Sequence, residues 1–181
     1  MVFGYLLGSI MERKTIFLLI LLVLVLNINV YDSLNINIKN LQMGDLIFHE
    51  SKTEQFVSGK YDHVQIYIGN GLVIEAQPPD VHYEIFSGGS VYRVRTSKQI
   101  RFCSAILAQT KIGFPYDYNI TGKQINGNSY YCSELVWSLY LMVGGPDLDN
   151  EPIWNEKYAF AYGVLPMECV DDEDTYFIGY F

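Results

Sequence analysis

The sequence is short of charge. Asp, Glu, Lys and Arg together make up 18% of it. The charge is also one-sided, with 12 basic against 20 acidic side chains and a net of −8. The first thirty residues carry +1 (Glu12, Arg13, Lys14), so the rest of the chain carries −9. An acidic surface repels phosphate backbones, which argues against nucleic acid as a partner and leaves no basic patch for anionic lipid headgroups. Cysteine is scarce too. The three present form no Cys-x-x-Cys pair, there is no His-Glu-x-x-His, and three scattered histidines do not make a metal site. No Gly-rich loop precedes a helix, so nothing cradles a nucleotide phosphate. No metal or cofactor is expected. The acidic run Asp171-Asp172-Glu173-Asp174 reads as a solvated turn rather than a calcium ligand set. No internal repeat is present.

What is abundant is apolar and aromatic surface, 50% and 15% of 181 residues, enough to build one sizeable core. One block of it stands apart. Ile16 to Leu26 is an unbroken apolar run that follows Arg13-Lys14 after the single residue Thr15. A basic flank and a short apolar run form the pattern of a secretory signal, and about 20 apolar residues are needed to span a bilayer. No small-x-small cleavage site follows, so residues 1–30 are expected to be a signal peptide or an uncut signal anchor, with membrane attachment through residues 15–30. The folded part is then exported. Residues 31–42, polar and Asn-rich, read as a linker ahead of a domain over 43–181. In an exported protein an odd cysteine count leaves one thiol unpaired. Cys132 is the free one if Cys103 and Cys169 bridge; the alternative is three reduced thiols.

The domain begins with strand signals. Asp45–His49 follows Gly44. His63–Ile68 alternates, with Val64, Ile66 and Ile68 on one face and His63, Gln65 and Tyr67 on the other. Gly69-Asn70-Gly71 is a hairpin turn returning into Leu72–Ala76. Val81–Phe86 and Val91–Val94 are further strands. The period then changes: Ile100, Cys103, Ile106 and Leu107 form a helical stripe within Ser97–Ile112, with Ser97 as cap and Gly113 and Pro115 as the stop. Residues 113–129 are a Gly/Asn-rich loop. Tyr131–Val143 reads as a second, largely buried helix ended by Gly144-Gly145-Pro146. Thr175–Phe181 is a final strand. The class is α+β, a small antiparallel sheet packed on a few helices.

Cys132 falls at the start of the second helix, three residues after Ser129 as the expected N-cap. Free backbone N–H groups and the helix dipole at that end favour a thiolate and could hold an oxyanion. From this position alone a small buried side chain is the better reading. His63 changes that, as a base at the start of a regular strand; His49 and His82, at a strand end and a strand start, are the other candidates. Glu75 is the candidate orienter, with Gln77 as rival. With a two-residue loop (Asn70-Gly71) Glu75 turns away from His63. With a three-residue loop Ile68 pairs with Leu72, Gln65 with Glu75 and His63 with Gln77, and Glu75 lies diagonal to His63. The three-residue loop also gathers Val64, Ile66, Ile68, Leu72, Ile74 and Ala76 on one face, so hydrophobic patterning selects it.

Taken in order, Gly44-Asp45-Leu46-Ile47-Phe48, Asp62-His63-Val64-Gln65-Ile66-Tyr67-Ile68-Gly69, Val73-Ile74-Glu75-Ala76 and Tyr131-Cys132-Ser133-Glu134-Leu135-Val136-Trp137 resemble the circularly permuted papain-like NlpC/P60 enzymes. The branch resembled is the YiiX/YaeF-like one, related to the lecithin retinol acyltransferase group. The similarity covers roughly residues 42–143. It implies a permuted papain-like fold in which the His-bearing strand precedes the Cys-bearing helix. It implies Cys132 as nucleophile, His63 as base and Glu75 as third polar residue; a Glu there fits the YiiX-like branch, since the acyltransferases usually carry a second His. The implied activity is a thiol hydrolase on an amide of a cell-wall peptide or similar substrate. A lipid or ester acyl substrate and an inactive binding domain are the alternatives. Tyr61 and Tyr131 are expected to flank the cleft.

Overall fold

The computed structural model describes residues 39–50, 59–149 and 162–181. The expected leader falls outside them, as does most of the expected linker. Among the described residues six strands form one antiparallel sheet: β1 Leu46–Glu50, β2 Tyr61–Gly69, β3 Leu72–Gln77, β4 Asp80–Ile85, β5 Ser90–Val94 and β6 Thr175–Tyr180, in the order β4-β3-β2-β1-β5-β6. Among the described residues three helices accompany it: α1 Lys98–Gln109, α2 Cys132–Met142 and α3 Pro166–Asp171. All three pack against β2, the strand that carries His63. Among the described residues, no helix is long and apolar enough to cross a membrane.

The β2–β3 hairpin sets the frame, and it reaches the expected register by an unexpected route. Gly69 pairs with Leu72, so the connection is the two-residue Asn70-Gly71 turn. Both residues have positive φ, +55° and +73°, as a turn matched to strand twist requires. A bulge between Tyr67 and Gly69 then takes up one residue, and Ile66 faces Ile74 as in the three-residue reading. Gly69, at φ +95°, absorbs the kink that a side chain would resist. Hydrophobic burial chooses this outcome. Val64, Ile66, Ile74 and Ala76 are fully buried in the core shared with α2. Each larger apolar side chain buried there contributes about 1.5–3 kcal/mol, far more than one bulge costs.

The other elements start and stop close to expectation. The Ser97 side chain accepts the Ile100 N–H and caps α1. Asp45, expected inside the first strand, lies just ahead of β1. Its carboxylate accepts the Gln42 N–H at 2.7 Å and both Nε and Nη2 of Arg93 at 2.7 Å. This two-pronged pair ties the entry of β1 to β5. On the far side, Tyr140 of α2 donates its hydroxyl to the Gly44 carbonyl at 2.6 Å. The last strand joins the sheet beside β5, and α3, which the sequence did not announce, precedes it.

The cysteine bridge considered from the sequence does not form: Cys103, Cys132 and Cys169 are all free thiols. Cys169 is fully buried in α3, and burial pushes its pKa well above the usual thiol value, which keeps it protonated and inert.

The Asp45–Arg93 pair generates a stability prediction. Asp45 is completely buried and the Arg93 side chain is 11% exposed. Asp45→Ala strands the guanidinium in the interior and should cost about 3–5 kcal/mol in urea unfolding. Replacing both residues by apolar ones of similar size should cost much less. Equal losses in the single and double variants would show that the charge pairing is not what holds β1 to β5.

Candidate active site

Three elements, β2, β3 and α2, meet near the start of β2. Cys132 is the first residue of α2, with Tyr131 as N-cap in an extended conformation. This corrects the sequence expectation, which made Ser129 the cap and put Cys132 two positions further into the helix. The reason is tertiary. Tyr130 forms a parallel bridge with Tyr116, donating its N–H to the Pro115 carbonyl and accepting from the Asp117 N–H. That bridge holds the chain extended right up to Tyr131. The cap is supplied from inside the helix instead. Glu134 accepts the Tyr131 N–H at 3.3 Å and the Gln124 N–H at 2.7 Å. Burial pushes the Glu134 carboxyl up to about 7 against those two bonds. At the first helical position, the N–H of Cys132 is one of those an α-helix leaves without an internal acceptor.

The Cys132 side chain is 7% exposed, with Sγ 3.9 Å from the Asp62 carbonyl and 4.0 Å from Ser133 Oγ. Asp62 immediately precedes His63. Nε2 of His63 lies 2.5 Å from Glu75 Oε2, a short charge-assisted contact. With Nε2 so engaged, Nδ1 is the ring nitrogen left for the thiol. The same Glu75 oxygen accepts from Gln65 Nε2 at 2.7 Å. Glu75 is 4% exposed and Gln65 5%, so the carboxylate is held in a nearly dry setting.

The electrostatics of the three groups are mutually dependent. Burial disfavours the charged ring of His63, but hydrogen bonds and negative charge from Cys132 and Glu75 outweigh it and raise the pKa to about 10. Burial likewise opposes a Cys132 thiolate, yet the His63 hydrogen bond and charge, with the Val64 N–H and Ser133, bring its pKa below the usual value. Burial opposes the Glu75 carboxylate too, and His63, Gln65 and His82 together hold it at about 2. Each of the three groups thus favours the charged form of its neighbour.

Of the sequence candidates, then, the structure brings Cys132, His63 and Glu75 together. Gln77, the rival orienter, ends β3 exposed to solvent. The other two histidines, weighed as alternative bases, join the same network from outside. His49 Nε2 bonds Gln65 Oε1 at 3.0 Å, and His82 Nε2 lies 3.3 Å from Glu75 Oε1. His82 had a signal: a two-residue Pro78-Pro79 connection places it directly across from Glu75. Tyr61 and Tyr131 do not line an open cleft. Tyr61 is buried and donates to Ser90; Tyr131 is buried, donating to the Gly122 carbonyl and accepting from the Val164 N–H. A cavity of about 190 Å³ lies beside His49, walled by Phe48, Glu50, Ser90, Tyr180 and Phe181. The His49 and His63 rings are 6.0 Å apart, centre to centre.

Comparison with known proteins gives this geometry a family. The model of the family described as "Permuted papain-like amidase enzyme, YaeF/YiiX, C92 family" matches residues 40–178. The Bacillus subtilis (strain 168) protein YycO is 27% identical over 141 residues, 73% of this chain. The chain spans about half of that relative, 53% of its length. Among solved structures, that of "metalloprotein yiiX" from Escherichia coli O157:H7 superposes with a TM-score of 0.58 at 21% identity, over 77% of this chain and 97% of the other. That likeness establishes the fold. With a family model matched across nearly all of the described residues, the chain belongs to the YaeF/YiiX family of permuted papain-like amidase enzymes.

Proposed function

We propose that the protein is a cysteine hydrolase that cleaves an amide bond through an acyl-enzyme on Cys132. The observation that carries this reading is the cluster itself, with His63 bonded to the buried Glu75 carboxylate and electrostatically linked to the Cys132 thiol. His63 takes the thiol proton, and the thiolate attacks the substrate carbonyl carbon. The carbonyl electron pair moves to oxygen, where the Cys132 N–H at the helix tip is positioned to donate. The imidazolium then gives its proton to the departing amine as the C–N bond breaks. Water, deprotonated by His63, attacks the thioester, and sulfur leaves. Glu75 is a positioning residue here. It fixes the ring with Nδ1 toward sulfur and stabilises the ring's positive charge, and Gln65 fixes Glu75 in turn.

An acidic surface suits a substrate bearing free amines, such as a cell-wall peptide. The apolar leader after Arg13-Lys14 supports an exported domain that meets such a substrate outside the cell, held at the membrane if the leader stays uncut.

The test is turnover of paired amide and ester substrates with amine-bearing leaving groups. The wild type should cleave the amide, Cys132→Ala should reduce it to background, and His63→Ala should lower kcat by about 10²–10⁴-fold. Ester cleavage without amide cleavage would replace the amidase reading with an acyl-ester one.

Thiol reactivity supplies a second check. Cys132 should be alkylated by iodoacetamide near pH 6 faster than Cys103 or Cys169, as read by peptide mass spectrometry. Equal rates at Cys132 and Cys103 would remove the nucleophile.

The pH profile follows from the same shifts. The active ion pair needs the imidazolium, whose pKa is raised, so activity should hold through neutral pH and fall as pH climbs through about 10. The acid limb, set by a lowered thiol pKa, should fall below the usual thiol range. Glu75→Gln removes a negative charge beside the ring, so its alkaline limb should move to lower pH. An unmoved limb would mean that Glu75 does not set the ring's charge.

A further inference from the structure

All three histidines of the chain end in one hydrogen-bond network, yet the proposed reaction uses only one of them. His82 is the informative remainder. It sits on β4, an edge strand, directly paired with Glu75, while Glu84 pairs with Val73 two positions along. Side chains two apart share a face, so His82 and Glu84 stand on the same side as Glu75. One ligand atom from each of Glu75, His82 and Glu84 lies within 4.8 Å of the other two.

The hydrogen-bond roles decide what belongs between them. Nδ1 of His82 is 3.0 Å from the Asp80 carbonyl oxygen, which can only accept, so Nδ1 carries a hydrogen. Nε2 points at Glu75 Oε1, and either a proton on Nε2 or a cation between the two atoms satisfies that contact. The two atoms are 3.3 Å apart. That separation is long for a charge-assisted N–H···O bond, which runs about 2.7–2.9 Å. It matches the edge of a tetrahedron about a metal with bonds of roughly 2.0–2.1 Å, which is about 3.3–3.4 Å. An imidazole whose far nitrogen is fixed by a backbone carbonyl is the arrangement that metal-binding histidines share. Glu75 can serve because Oε2 takes His63 and Gln65, and Oε1 faces His82. Glu84 is exposed, with Oε1 accepting the Ile85 N–H, which leaves the site open to solvent on that side.

We propose that Glu75 Oε1, His82 Nε2 and a carboxylate oxygen of Glu84 form a binding site for a divalent transition-metal ion such as zinc. One imidazole and two carboxylates suit such an ion, match its charge and leave a position for water. The ion lies on the side of Glu75 away from the His63 contact, so it positions the carboxylate and does not touch sulfur. The site does not depend on the hydrolase reading.

The test uses the full chain stripped with a chelator, then titrated with Zn²⁺ alone against a chromophoric competitor, with bound metal counted after desalting. One ion per chain is expected. His82→Ala and Glu84→Gln, both on an edge strand where folding should tolerate them, should each weaken binding by at least about tenfold. Cys132→Ala should bind as the wild type does, and Co²⁺ in place of Zn²⁺ should show no thiolate charge-transfer band. Thermal melts of the metal-free variants should match wild type, which makes a binding loss local. Stoichiometry well below one, unchanged affinity in both edge-strand variants, or binding that disappears with Cys132 would each overturn the site. Amidase activity does not enter any of these outcomes, so the two proposals fail separately.

Discussion

The structure turns on the register of one hairpin. His63 on β2 and Glu75 on β3 meet because the strands pair with Ile66 opposite Ile74 and Tyr67 opposite Val73. A slip of one residue would turn Glu75 to the opposite face and remove the carboxylate from the imidazole. It would also send Ile74 and Ala76 out of the core. Packing and chemistry are therefore fixed by the same choice. The apolar alternation that buries the hairpin on α2 is what places the carboxylate beside the imidazole.

From that contact the site extends in two directions. Inward, the ring reaches Cys132, whose position depends on a helix that begins one residue after an extended bridge. The thiol is at the helix tip because Tyr130 is held in the bridge and Glu134 supplies the cap from within. Outward, Glu75 is contacted by Gln65 and His82, and Gln65 by His49. A carboxylate this buried and this heavily bonded stays ionised despite desolvation, and its charge is what favours the imidazolium. The family to which the chain belongs gives this arrangement its chemical setting, a papain-like amidase with the His strand placed before the Cys helix.

Rigidity around the site comes from polar ties at its margins. The Asp45–Arg93 pair and the Tyr140–Gly44 bond hold the entry of β1 from two directions. β1 in turn pairs with β2 along its length, His49 opposite His63 included. The strand that carries His63 is thus braced by β1 on one side and β3 on the other, with α2 across its face.

Read without the structure, the chain already specified a good part of this. Alternation gave β2, the Gly-Asn-Gly turn gave the hairpin, and the 3.6-residue stripe after Ser97 gave α1, because these signals are local and periodic. Cys132, His63 and Glu75 could be selected together since one hairpin and one helix start carry them. Other features depended on partners distant in sequence. The Tyr116–Tyr130 bridge moved the helix start; the bulge before Gly69 reconciled a two-residue turn with a three-residue register; α3 went unannounced and β6 found its place beside β5. His49 and His82 looked unrelated until β1 and β4 were laid on either side of the hairpin. Local periodicity determines which elements form and which faces are apolar. Which side chains from separate elements share a few ångströms of dry space is decided by sheet order and packing, and these arise only when the whole core is buried at once.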